Sequence, residues 1–113
     1  MTNSREISVR IADQKLYDAL QKLKDGTFEE RQLYKFIDRA TDHLKENPFC
    51  GIKIPKRIWT RSYIKKFSIT NLWKYDLANG WRLIYTIEAD EVRIISVILE
   101  WCSHPVYQRR FGY

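Results

Sequence analysis

The chain has 113 residues and a mass of 13.7 kDa, enough to close one hydrophobic core and not two, so residues 1–113 are expected to form a single domain. Hydrophobic residues make up 44% and charged residues 30%, a globular balance, and no apolar stretch approaches the roughly 20 residues of a membrane-spanning helix. The formal charge of +6 is local: positions 47–75 hold Lys53, Lys56, Arg57, Arg61, Lys65, Lys66 and Lys74 with no acid, while the rest of the chain has 13 bases against 14 acids.

In chain order, Glu6 to Ile11 alternates Ile7, Val9 and Ile11 with polar positions, the period of a half-buried strand. Asp13 is placed to cap a first helix carrying Leu16, Leu20 and Leu23, and Asp25-Gly26 predicts a left-handed stop. Thr27 and Glu30 have the spacing of a capping box, and Leu33, Phe36, Ile37, Ala40 and Leu44 lay one apolar stripe along a second helix ended by Asn47-Pro48. So short a link makes the two helices an antiparallel hairpin. His43 falls on the polar side of the second helix and reads as a surface residue.

Residues 50–70, broken by Gly51 and Pro55, read as a basic loop with one short helical turn around 61–66. Three strand-like runs follow, at 71–77, 81–88 and 92–101, joined by Asn79-Gly80 and by a polar turn at 88–91. They predict a three-stranded antiparallel meander. The third run is almost wholly apolar, as expected of a strand buried on both faces at the sheet centre, with helices over one face. His104-Pro105 breaks that strand and leaves a short C-terminal tail, irregular or one helical turn. The expected fold class is a small α+β domain in which the first strand joins the sheet edge.

Cys50 and Cys102 are too few and too far apart for a disulfide framework or zinc-knuckle spacing. Each reads as a buried thiol, and a bridge would require the fold to bring them together. The two histidines, His43 and His104, stand in no Cys/His cluster, so no metal site is expected. The first twelve residues carry Arg5, Glu6 and Arg10 without an apolar core, which predicts no secretory signal and a cytoplasmic protein with no membrane partner. The basic segment interleaves Trp59, Tyr63, Phe67, Trp73 and Tyr75. That combination suits nucleic acid, through charge and base stacking, and it equally describes a solvated basic face over core aromatics.

Three pieces of sequence carry a family resemblance: L-x-x-N-P at Leu44 to Pro48, the run L-W-K-Y-D-L-A-N-G-W-R-L-I-Y-T-I from Leu72 to Ile87, and H-x-x-Y from His104 to Tyr107. With the element order, they resemble the RelE/ParE superfamily of toxin-antitoxin toxins over nearly the whole chain. The resemblance implies a RelE/ParE-like domain and a metal-independent, cofactor-free endoribonuclease. Such an enzyme cuts mRNA, commonly in the ribosomal A site, inhibits translation, and is silenced by a cognate antitoxin protein. A base takes the ribose 2′-hydroxyl proton, an acid protonates the leaving oxygen, and a cation steadies the charge between them.

On that resemblance Arg82 matches the family's strand arginine, against a reading in which it merely pairs with Asp76 or Glu88. His104 matches the acid/base histidine near the end of the last strand, against an exposed or capping histidine. Tyr107 matches a terminal aromatic that stacks on a base or bonds a phosphate, against plain packing. Lys74 stands where several family nucleases have a further arginine, with Asp76 two residues on. Lys53, Lys56, Arg57, Arg61, Lys65, Lys66 and Trp73 would form the RNA track. Two other functions fit the same residues: a non-nuclease ParE-like inhibitor that binds a protein target, and a nucleic-acid-docking module without catalysis.

Overall fold

The computed structural model describes residues 5–112. Strand β1 (Glu6–Ile11) leads into helix α1 (Gln14–Lys24), whose first turn is capped by Asp13 accepting from the Leu16 amide at 2.8 Å. Helix α2 (Phe28–Glu46) opens with the full capping box: Glu30 N donates to Thr27 Oγ1 at 3.2 Å and Thr27 N to Glu30 Oε1 at 2.9 Å. It buries Leu33, Ile37, Ala40 and Leu44 and ends at an extended Asn47 before Pro48. The left-handed stop expected at Gly26 is absent: α1 ends at Asp25 with φ −109°, and Gly26 has no positive φ. A Cβ there would lie 2.4 Å from the Glu30 carboxylate that closes the box, so any larger residue would make Glu30 shift.

The next segment is more ordered than a loop. It runs through β2 (Ile52–Lys53), a 3-10 turn (Lys56–Ile58) and helix α3 (Arg61–Phe67), capped by Thr60 and ended by Ser68 at φ 50°. Strands β3 (Trp73–Asp76), β4 (Arg82–Ala89) and β5 (Arg93–Cys102) form the expected antiparallel meander, and α4 (His104–Phe111) closes the chain against Gly112 at φ 83°. The predicted tail is therefore an eight-residue helix. Pro105 starts it instead of preventing it, since the amide a proline lacks in the first turn has no helical partner in any case.

The sheet has five strands in the order β1-β5-β4-β3-β2, with β1 parallel to β5 and every other pair antiparallel. The meander is thus extended on both sides, and β4 is the middle strand, with β5 interior beside it. Both faces are covered, where helices on one were expected. The α1/α2 hairpin packs on Leu83, Tyr85 and Ile98, while α3 and α4 pack on Ile84, Val97 and Leu99 through Tyr63, Tyr107 and Phe111. A bulge in β5 opposite Ile84 and Tyr85 turns Glu100 toward α4, where its carboxylate pairs with Arg110. No helix among the described residues is long and apolar enough to cross a membrane.

Candidate active site at the ends of β3 and β4

Strand alternation decides which side chains meet. On β3, Trp73, Tyr75 and the following Leu77 pack on the α1/α2 side, so Lys74 and Asp76 face α4. Asp76 pairs directly with Arg82 across β3 and β4, and Arg82 pairs with Cys102 at the end of β5, one residue before the Ser103 cap of α4. His104 is thereby set beside Arg82, and Tyr107 lies one helical turn further on. The β3–β4 turn tightens the arrangement. Asn79 and Gly80 both take left-handed backbone, at φ 59° and 78°, bringing Gly80 against His104 and its carbonyl to the Arg82 fork.

The Arg82 guanidinium is held on three sides. One terminal nitrogen donates to Gly80 O at 3.1 Å, the other bonds His104 Nδ1 at 3.0 Å, and Nε lies 3.0 Å from Asp76 Oδ1 as an ion-pair contact out of line for a hydrogen bond. Lys74 Nζ donates to both Asp76 oxygens, at 2.8 and 3.0 Å. The two cations are sunk, with side-chain exposures of 14% for Lys74 and 17% for Arg82, while Asp76 is 48% exposed. Arginine has no acceptor, so Nδ1 of His104 accepts in this contact and a neutral ring carries its proton on Nε2. Arg82 retains one free N–H on each terminal nitrogen, the fork that suits a phosphate oxygen pair.

The structure thus brings together Arg82, His104, Tyr107 and Lys74, and adds Asp76. Tyr107 does so in a different capacity from the one expected. Its side chain is 1% exposed, with Arg82 Cζ 5.5 Å and Lys74 Nζ 5.8 Å from its ring centroid and Phe111 at 4.9 Å on the core side. No ring face is left for a nucleobase; the tyrosine is a cation-bearing floor.

The expected RNA track divides. Lys56, Arg57, Arg61, Lys65 and Lys66 are exposed on the 3-10 turn and α3, and none joins a salt bridge among the described residues. Lys53 stands on β2, opposite Trp73 of β3 with its Nζ 5.9 Å from that ring, and borders the same cavity as Lys56. Trp73 is half-buried between Tyr85 and Phe49, on the sheet face opposite Lys74, and is a packing residue there.

Sequence reasoning missed the cleft on the other flank of β3, about 340 Å³, where Lys74 and Asp76 meet His43, Tyr75 and Cys50. His43 is exposed, as read, yet its Nδ1 contacts the Tyr75 hydroxyl. Burial raises the Tyr75 phenol above its ordinary range. Nothing local in the chain announces this pair, whose members are 32 positions apart. Cys50 is exposed instead of buried, because Gly51 and the two-residue β2 hold it at the sheet margin. Cys102 is buried beneath Arg82, its thiol pushed up to about 11 chiefly by that burial, and both cysteines are free. Among the described residues no three His, Cys, Asp or Glu side chains are grouped to hold a metal ion.

Chemically, the cluster offers two cations and a fork for an anion, an imidazole and a carboxylate within the same group. Compared with protein-family models, with curated proteins and with solved structures, the chain finds no match in any of the three.

Proposed function

We propose that this protein is a toxin of the RelE/ParE kind, a metal-independent endoribonuclease acting on ribosome-bound mRNA and silenced by a cognate antitoxin. On this reading the strand, helix hairpin and meander are the RelE-like layout, with β2 and α4 as its flanking pieces. The observation that carries the proposal is the 3.0 Å contact between Arg82 and His104, with Lys74 in the same cluster. An arginine fork, a second cation and a proton-bearing imidazole are the parts that ribose-assisted phosphodiester cleavage needs.

In the proposed reaction the 2′-hydroxyl attacks the adjacent phosphate and gives its proton to the Asp76 carboxylate. Lys74 and the free Arg82 N–H groups hold the phosphate oxygens as negative charge gathers on them. His104 enters the step as the imidazolium and gives its Nε2 proton to the departing 5′-oxygen. Its Nδ1 proton then exchanges through solvent as the neutral ring settles with Nε2–H and Nδ1 accepting from Arg82. The products are a 2′,3′-cyclic phosphate and a 5′-hydroxyl end. Tyr107 keeps both cations in place without entering the reaction.

The Asp76 bridge to Lys74 and Arg82 favours a second reading, since it offsets one of two positive charges where RNA would bind. In that reading the same face binds a protein target, as a ParE-like inhibitor would, and His104 is dispensable. Adding the protein to a bacterial translation extract and mapping mRNA ends by primer extension tests the proposal. New ends that depend on the protein are expected; intact mRNA in actively translating extract would refute it and move the assignment to protein binding.

A further inference from the structure

A cavity of about 410 Å³ opens beside β2 and the start of β3, outside the Arg82 cluster. Its wall includes Trp59, with Ile54 and Pro55 beside it and Lys53 and Lys56 at the rim. The volume is that of a small-molecule or single-base site. The indole of Trp59 is fixed: Nε1 donates to Ile54 O at 2.9 Å, and the half-buried ring packs against the α3/α4 core while lining the cavity. A flat, immobilised aromatic wall flanked by two lysines and no acid is complementary to a base whose neighbouring phosphates are negative.

The polar inventory narrows the ligand further. Asn71 also lines the cavity, but its amide is committed: Oδ1 accepts from Trp73 Nε1, Thr86 Oγ1 and Ile87 N, and Nδ2 donates to Ile87 O at 2.8 Å and to Thr70 Oγ1 at 3.3 Å. The site therefore lacks a free amide to read a base edge. We infer that this cavity takes one base of single-stranded RNA by stacking on Trp59, with Lys56 and Lys53 on the adjoining phosphates, and that it does so with little preference among bases. The inference rests on the ribonuclease reading and gives that site a remote anchor. Asn71 precedes β3 and Asp76 ends it, so the anchor lies about 17 Å along the strand from the Arg82 cluster.

The test is binding of a fluorescein-labelled single-stranded RNA to the full chain by anisotropy across a salt series, with 5-iodouridine crosslinking of the wild type mapped by mass spectrometry. Trp59→Leu is expected to weaken binding about 5- to 150-fold and Trp59→Phe about threefold or less, because a ring still stacks. Lys56→Ala, at an exposed position, is expected to lower the salt slope by about one unit. Crosslinks should map to Trp59, which settles the site even if Trp59→Leu does not fold. Wild-type affinity in folded Trp59→Leu, or crosslinks confined to other segments, overturns the anchor alone. No RNA binding by the wild type overturns the anchor, whereas the ribonuclease reading falls only if mRNA stays intact in the translating extract.

Discussion

Replacing Tyr107 separates a floor from a reactant. Its ring is 1% exposed and lies under Lys74 and Arg82, so Tyr107→Ala removes a buried aromatic and leaves a cavity beneath two cations. Truncations of that size cost about 3–5 kcal/mol. At an unfolding entropy of about 2.1 cal/mol/K per residue, that lowers the melting temperature of a domain this long by about 13–21 °C. Tyr107→Phe keeps the ring and its cation contacts and forfeits at most a hydroxyl interaction, about 0.5–1.5 kcal/mol or roughly 2–6 °C. Thermal unfolding by circular dichroism gives both shifts, and mRNA cleavage at 25 °C gives activity. The account predicts that folded Tyr107→Phe retains activity within about threefold, since less than 1 kcal/mol of transition-state stabilisation is removed. A hundredfold loss in folded Tyr107→Phe would show that the phenol takes part in the chemistry and would refute the floor assignment.

Other consequences follow from the same geometry. Asp76→Asn removes the anion between Lys74 and Arg82, and a charge about 6 Å from a bound phosphate is worth about 0.7–1.4 kcal/mol at a dielectric of about 40–80. RNA binding should tighten about three- to tenfold in anisotropy titrations while cleavage slows about 10²–10⁴-fold; unchanged cleavage would remove Asp76 from the base role. Asn71→Ala breaks a group of bonds that ties β3 to β4, and should cost about 2–4 kcal/mol with RNA contacts intact, measured by denaturant unfolding. For the thiols, a raised pKa means less thiolate at a given pH, and Cys102 at about 11 is also buried. Iodoacetamide at pH 8 should label exposed Cys50 alone in the folded protein and both cysteines in guanidinium, as read by mass spectrometry.

Much of the fold is legible where period and caps agree. The alternation of Ile7, Val9 and Ile11, the Thr27/Glu30 box and the apolar stripe of α2 each specify an element from local spacing, and each forms as expected. Strand β2 was not legible because two residues have no period, and its pairing comes entirely from β3. Helix α4 was obscured by Pro105, whose meaning depends on whether it falls inside a helix or at its first turn. The second covered face followed from that omission: with α4 read as a tail and α3 as a turn in a loop, nothing was left to pack over Ile84 and Val97.

The site was legible as residue types and not as roles. Arg82, His104 and Lys74 share one face because pairing register and the start of α4 place them there. Burial decided the rest: Tyr107 lost its stacking face, and Trp73 fell on the opposite side of the sheet by strand parity. The His43–Tyr75 contact spans elements with no local signal, and only the tertiary packing of α2 on β3 brings it about.

The most direct test of the account compares wild type, Arg82→Ala and His104→Ala, each checked for folding by circular dichroism, in translation-coupled mRNA cleavage with analysis of the end groups. The account predicts protein-dependent cuts carrying 2′,3′-cyclic phosphates, reduced about 10²–10⁴-fold in both folded variants. Undiminished cuts in either folded variant, or none from the wild type with ribosomes translating, would contradict it.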